Sequence, residues 1–402
     1  MRSLRPLLCA LLAVVSGCEK KPAAGPKPSA GAQAPTPAPP DAQGPILLGQ
    51  VGSLTGSEAT FGVSARNGIA LAVKEANAAG GVKGRLLAVR VYDSQGRPEE
   101  AAQAATRLIT QDKVVLLLGE AASSNSLAMA DRAQAAHVPM ITPTSTSPAV
   151  TQKGDYIFRA CFIDPFQGGV MAHFARDTLK LARVAVLQDN KSAFSTGLAE
   201  AFRRQFAERG GTVLTTESYA KGDTDFRATL TRLKNSRPEA LFVPGYYTDV
   251  AIIARQAREL GLDVPLLGGD GWESDRLLEL GGDALEGSYY VNHYSVDNPD
   301  PRLQQFITRY RAAHGELPDS VAALAYDAAR MAIDAMERAP DLSGPALRDA
   351  LAATRNFPGV GGTLNLDAHR DAVKPAVILK IAHGQKRFVA TVQPGETPAS
   401  PP

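Results

Sequence analysis

The chain has 402 residues, with 43 Lys and Arg against 41 Asp and Glu, giving a formal charge of +2. That balance, with no basic stripe carrying interleaved aromatics, argues against a nucleic-acid partner. Only three cysteines are present, Cys9, Cys18 and Cys161, too few for a disulfide framework to be the source of stability.

Arg2 and Arg5 precede an apolar stretch, Leu7 to Val15, too short to span a bilayer and suited to a secretory h-region. Val15-Ser16-Gly17-Cys18 resembles the lipobox of bacterial lipoproteins, in which the cysteine receives diacylglycerol and becomes the mature N-terminus. An ordinary signal peptide with an unrelated cysteine is the alternative. Residues 1–17 are thus read as a lipoprotein signal peptide and Cys18 as the lipid attachment. Residues 18–44, rich in Pro, Ala and Gly, cannot bury a core and form a semi-extended tether to the membrane.

From Ile46 onward, short apolar runs alternate with amphipathic stretches. ILLGQVG predicts a strand and GVSARNGIALAVKEANAAGG a helix closed by Gly80 and Gly81. LLAVRVYDS is a strand, and PEEAAQAATRLITQ a helix with proline and two glutamates in its first turn. VVLLLGE, a helix over SNSLAMADRAQAA, and the strand VPMIT follow. A second series begins after Asp164: PFQGGVMAHFARDTL, ARVAVLQD, GLAEAFRRQFAERGG, TVLTTESYA, TDFRATLTRLKNS, ALFVPGY, VAIIARQARELG and VPLLGGDG. After Val291–Ser295 come three helical stretches, RLQQFITRYRAAHG, SVAALAYDAARMAIDAMERA and PALRDALAATRN. A hairpin-like pair, GGTLNL and AVILKIA, comes last, and residues 393–402 read as a disordered tail. Strands alternating with helices over a body too long for one core predict an α/β protein of two doubly wound parallel-sheet lobes.

The chemistry is narrowed by what is missing: no GxxxxGK[ST] loop, HExxH, CxxC or GxSxG elbow occurs. His137, His173, His293, His314, His369 and His383 are scattered without metal spacing and read as surface or capping residues. No catalytic residue, metal or cofactor is expected, and the chain does not read as an enzyme. What stands out are polar strand ends, where open α/β sheets bind ligands. GEAASS ends one strand and opens a helix, so Ser123 either caps that helix or joins its amides in holding an anion. MITPTSTSP ends the next, a loop pinned by Pro143 and Pro148 that presents hydroxyls and backbone groups to a small polar ligand.

Those stretches, with GSLTGSEATFG, GIALAVKEANAAGGVKGRLLAVRVYDSQGRPEEA, FRACFIDPFQG, KGDTDFRATLTRLK, GYYTDVAIIARQARELGL and LGGDGW, resemble the periplasmic leucine/isoleucine/valine-binding proteins, the substrate-binding components of branched-chain amino-acid ABC importers. The resemblance covers nearly the whole body. It implies two lobes joined by three crossovers, near Cys161–Asp164, Val291–Tyr294 and Leu364–Asp367. One lobe would hold residues 45–162 with 294–366, the other 163–293 with 367–392. By the same resemblance, Ser123 takes a ligand carboxylate and Thr146 contacts carboxylate and ammonium. Thr144 offers its backbone carbonyl, Asp270 pairs the ammonium, and Tyr246 lies near it. Phe61, Phe194 and Trp272 fall at side-chain-pocket positions. Phe61 and Phe194 replace tyrosines frequent in the family, which makes the pocket more apolar, and Asp270 replaces a glutamate.

The implied function is capture of a small ligand, an amino acid with a branched or other apolar side chain, by hinge closure, with delivery to an ABC permease. A ligand-sensing lipoprotein working with a membrane receptor is the alternative, as is a binder of an amide, urea or aromatic carboxylate. The sequence leaves the ligand open.

Overall fold

The computed structural model describes residues 44–395. The signal peptide, Cys18, all but the last residue of the tether, and residues 396–402 of the expected tail lie outside the described residues.

β1 (Ile46–Gly52), β2 (Leu87–Asp93), β3 (Leu116–Leu118), β4 (Met140–Thr142) and β5 (Ile157–Arg159) pair in parallel in the order β2-β1-β3-β4-β5. α1 (Ala59–Ala78), α2 (Pro98–Thr110) and α3 (Ser123–Ala136) connect them. β3 and β4 are buried along their length, as expected of parallel strands covered on both faces. α2 starts as its sequence predicts, with Pro98 in the first turn followed by Glu99 and Glu100.

The second lobe repeats the plan. β6 (Arg183–Asp189), β7 (Thr212–Tyr219), β8 (Ala240–Phe242), β9 (Leu266–Gly268) and β10 (Tyr289–Asn292) lie parallel in the order β10-β9-β8-β6-β7. α4 (Asp164–His173), α5 (Ala193–Glu208), α6 (Arg227–Asn235), α7 (Tyr247–Glu259) and α8 (Asp275–Gly281) belong to it. α5 carries a side-chain cap, the Ser192 hydroxyl accepting from the Ser195 amide at 3.2 Å.

After β10 the chain returns. α9 (Pro301–His314) and α10 (Ser320–Arg338) cover α1, and α11 (Gly344–Ala352) follows. The approach of α10 to α1 requires a glycine: a Cβ on Gly68 would lie 2.2 Å from the Ala322 carbonyl oxygen. Arg309 and Tyr326 both reach Glu75 of α1, at 2.8 and 2.5 Å. A small antiparallel sheet, β11 (Phe357–Gly359), β12 (Gly362–Leu366) and β13 (Ala372–Val373), comes next. β14 (Ala376–Ala382) then joins the second lobe's sheet antiparallel to β10, and β15 (Gln385–Val392) pairs with β14.

Two expectations are corrected here. GGTLNL and AVILKIA do not pair with each other. The first is β12, and the second is β14, which forms its hairpin with β15 through His383 and Gly384, both at positive φ. The third crossing lies between Val373 and Ala376 rather than at Leu364–Asp367. The polar run after Leu366 turns back on itself, so that Leu366 pairs with Ala372 before the chain leaves. Three helices also begin earlier than their apolar periodicity indicates: α1 at Ala59 rather than Gly62, α5 at Ala193 rather than Gly197, and α7 at Tyr247 rather than Val250. All three first turns face the gap between the lobes: Phe61 and Phe194 line the cavity, while Tyr247 and Thr248 hydrogen-bond across to the first lobe.

Candidate ligand-binding site

The strand ends of the two lobes face each other across a narrow cavity, with about 20 Å³ open in the closed arrangement of the lobes. From the first lobe and its returning helix it is lined by Phe61, Ala121, Ser123, Thr144, Thr146, Ser320 and Val321. From the second come Phe194, Tyr246, Asp270 and Gly271, with His293 from the second crossing. The lobes are closed. Thr60 N–H donates to the Tyr247 hydroxyl (3.3 Å), Ala193 N–H to Ser124 Oγ (3.0 Å) and Thr248 Oγ1 to the Ser57 carbonyl (2.7 Å). Lys221 Nζ pairs with Glu58 at 2.6 Å and donates to the Gly96 carbonyl at 2.9 Å. A larger groove between α2 and α3 opens on the outer surface and gathers no comparable set of buried polar groups.

The first lobe's wall is a tightly bonded hydroxyl lattice. Ser123 is the first residue of α3 and does not cap it. Its buried hydroxyl accepts from the Ser147 amide (3.3 Å), so the helix N-terminus, with its unpaired amides and positive dipole end, faces the cavity beside Ser123. Thr144 Oγ1 donates to the Ala121 carbonyl (3.2 Å). Ser145 Oγ bonds Ser126 Oγ (2.7 Å) and the Glu120 carbonyl (3.1 Å), and lies behind the wall. Thr146 Oγ1 is buried and interacts with the Asp164 carboxyl, which it helps hold down against the effect of burial.

The second lobe's wall carries the ionisable and aromatic groups. Asp270 follows β9 in a short 3-10 turn. Its carboxylate accepts from Gln167 Nε2 at 3.1 Å and meets His293 Nε2 at 3.0 Å. Burial pushes the Asp270 carboxyl up to about 7, with Gln167 opposing. Burial also drives His293 well below its ordinary value, so the neutral imidazole donates to Asp270 and supplies no compensating charge. His293 stacks on Phe162, ring centroids 3.9 Å apart. Gln167 bridges as well to Asp164 (3.0 Å), whose carboxyl burial likewise raises to about 7. Two buried carboxyls thus share one amide. The nearby cation is the buried Lys374, whose Nζ donates to the His293 carbonyl (3.4 Å) and interacts with Asp270 through space rather than by a direct hydrogen bond. Tyr246 stacks on Phe194 (centroids 5.2 Å) and meets Phe61 edge-on (5.8 Å), forming the apolar end of the cavity. Burial holds the Tyr246 phenol well above its ordinary value, so it is a donor at neutral pH.

Seven of the eight pocket residues named from the sequence line this one cavity. Trp272 does not. It is fully buried in the second lobe's core, its indole N–H donating to the Val243 carbonyl (2.9 Å) and its ring stacked on Tyr290. Gly268 makes room for it, since a Cβ there would meet the indole at 2.1 Å. Two of the histidines expected at the surface or at caps are buried instead, His293 at the cavity and His173 in α4. A histidine inside the expected second crossing was the available signal. Gln167, Ser320 and Val321 carried no local signal at all. Among the described residues, no group of acidic, His or Cys side chains is arranged to hold a metal. Cys161 is buried and free, its thiol pushed up to about 12 by burial.

The profile of the periplasmic binding protein family matches residues 45–386. The chain belongs to that family. The leucine-, isoleucine-, valine-, threonine- and alanine-binding protein of Pseudomonas aeruginosa is 29% identical over 328 residues, covering 81% of this chain and 87% of that protein. The Leu/Ile/Val-binding protein homolog 3 of Brucella melitensis biotype 1 is 32% identical over 248 residues, 61% of this chain and 67% of its own length. Among solved structures, the leucine-binding protein LivK of Thermotoga maritima superposes with a TM-score of 0.83 at 36% identity, covering 87% of this chain and 99% of that one. LivJ of Streptococcus pneumoniae, in complex with isoleucine, gives 0.82 at 33% identity and 87% and 100% coverage. This family member is therefore a solute-binding protein built on the two-lobed α/β fold of those structures.

Proposed function

We propose that this solute-binding protein captures a zwitterionic amino acid with a branched or other apolar side chain and presents it, lobes closed, to an ABC import permease. One juxtaposition carries the reading. An α-helix N-terminus with Ser123 stands on one wall of the cavity, and on the other stands Asp270, a buried carboxyl whose direct partners, Gln167 and a neutral His293, carry no charge. A carboxylate suits the first wall and an ammonium the second. Phe61, Phe194, Tyr246 and Val321 leave an apolar end for the side chain. Thr146, which lines the cavity beside Asp164, would contact the ligand through its hydroxyl, and Thr144 would contribute through its backbone. An amide, urea or aromatic carboxylate would leave Asp270 buried without its counter-charge. The names of the relatives, which bind leucine, isoleucine or valine, agree with this choice.

The reading includes a place. The N-terminal signal-peptide pattern and Cys18 support export and lipid anchoring, with residues 18–44 as the tether. Metabolic labelling with a palmitate analogue tests it: a Cys18→Ala chain should lose label and release from membranes. Transport energy would come from a separate ATPase.

Isothermal calorimetry of the anchor-free body against L-leucine, L-isoleucine, L-valine, L-alanine, leucinamide and benzoate is the direct test. Binding of the amino acids with loss of affinity for leucinamide, which lacks the carboxylate, is expected. Benzoate binding with no amino-acid binding would overturn the proposal.

A further inference from the structure

Arg159 ends β5, just before the first crossing, and is fully buried outside the cavity lining. Its Nε pairs with Asp371 Oδ1 at 2.6 Å. Its Nη1 donates to the Ser145 carbonyl, and Nη2 donates to the Ser147 carbonyl at 2.8 Å and to Thr151 Oγ1 at 3.1 Å. The Thr151 hydroxyl donates onward to Asp371 Oδ1 at 2.8 Å. Ser145 and Ser147 flank Thr146, so a rigid planar fork holds the carbonyls on both sides of a cavity-lining residue. The Ser145 carbonyl lies in the peptide plane entering Thr146. The plane leaving it is held by Asp164 N–H donating to the Thr146 carbonyl (2.9 Å) and Ser147 N–H donating to Ser123 Oγ (3.3 Å), so Arg159 anchors the incoming plane and the residue just beyond.

Asp371 comes from far along the chain, in the turn between β12 and β13 that precedes the third crossing. That turn is stitched to the same place by its backbone and by its neighbour. Arg159 N–H donates to the Arg370 carbonyl (3.3 Å), and Arg370 donates to the Ile157 carbonyl (3.0 Å) and the Thr151 carbonyl (2.9 Å). The first crossing, the third crossing and the loop between Pro143 and Pro148 therefore meet at one guanidinium.

We propose that Arg159 is the positioning residue of the ligand-contacting loop, and that Asp371 ties that loop to the third crossing so that hinge geometry and Thr146 placement are set together. This rests on the reading that Thr146 contacts the ligand. A core ion pair that merely stabilises the fold would loosen the lobe as a whole when weakened. A positioning pair would loosen Thr144–Ser147 selectively and lower affinity from outside the cavity.

The experiment uses the anchor-free body with Asp371→Asn, Thr151→Val, Thr151→Ser and Arg159→Lys. It reads backbone hydrogen exchange without ligand, the thermal midpoint, and calorimetric affinity for L-leucine. Asp371→Asn and Thr151→Val should speed exchange across residues 143–151 about tenfold while α2 is unchanged, and weaken L-leucine about tenfold, as expected for loss of hydrogen bonds to a charged group. Thr151→Ser keeps the hydroxyl and should behave as the native chain. If Arg159→Lys does not fold, the Thr151 pair decides. Unchanged loop exchange, or acceleration in every segment with native affinity, overturns the proposal. A native chain that binds no amino acid while its loop responds as described would overturn the amino-acid reading and uphold the positioning role.

Discussion

The two walls of the cavity are built from opposite materials. The first lobe offers hydroxyls and helix-end amides, mostly satisfied by one another, with no ionisable side chain touching the cavity. The second offers Asp270, braced by Gln167 and a neutral His293, its carboxyl held near 7 by burial. A neutral, prebonded wall can receive a ligand without rearranging. A buried carboxyl is costly to ionise, and burial accordingly raises Asp270 to about 7, so an arriving cationic group would favour its ionised form. The proposed amino-acid reading accordingly places docking on the first lobe and the ionic contact on the second.

Asp270→Asn is the most direct way to break that comparison. It removes the charge while preserving shape, and affinity for an amino acid should fall at least about tenfold, since a charge-assisted hydrogen bond is worth about 1.5–3 kcal/mol. Calorimetry showing native affinity would take Asp270 out of the site. Ser123→Ala, on the neutral wall, should cost less, about fivefold, as expected for one ordinary hydrogen bond. An equal or larger loss at Ser123 would reverse the ranking of the walls.

The charged wall also predicts a pH signature. Glu58, Asp164, Asp249, Asp270 and Asp319 are all pushed up to about 7, with burial the leading cause. Each raised carboxyl holds a proton in the folded state that the unfolded chain, with carboxyls near 4, has already released. Their contribution is therefore fully present below about 4 and is lost as pH rises through about 7. The ligand-free protein should melt lower at pH 8 than at pH 5.5, by about 2 °C or more. Bound amino acid, by pairing Asp270, should narrow the gap. A midpoint that rises with pH over this interval would contradict the assignment.

Smallest is the latch across the rim. Lys221, about one-third exposed, pairs with buried Glu58, and partial exposure limits such a pair to roughly 1 kcal/mol or less. Lys221→Gln should weaken ligand binding about threefold, chiefly through faster release measured by stopped flow, with a smaller effect at high salt.

Legibility followed distance along the chain. Ser123, Thr144, Thr146, Tyr246 and Asp270 stand at strand ends that local periodicity marks, and the family resemblance aligned them. Trp272 stands at such an end too, yet its ring turns into the core beneath Gly268, a choice made by packing against Tyr290. The early starts of α1, α5 and α7 were hidden for a related reason. Their first turns are composed for the gap between the lobes, so the apolar stripe that announces a helix begins only after them.

What the sequence determined by itself is the order of βα units, hence two parallel sheets with helices on both faces and polar strand ends turned to one gap. Those features follow from the period of apolar residues and from capping and turn chemistry, which act over a few positions. Tertiary structure alone decided that His293 neutralises nothing beside Asp270, that Gln167 bridges two carboxyls, and that Asp371 closes on Arg159 from 212 residues away. Burial and long-range pairing set those outcomes, and neither has a local pattern to read.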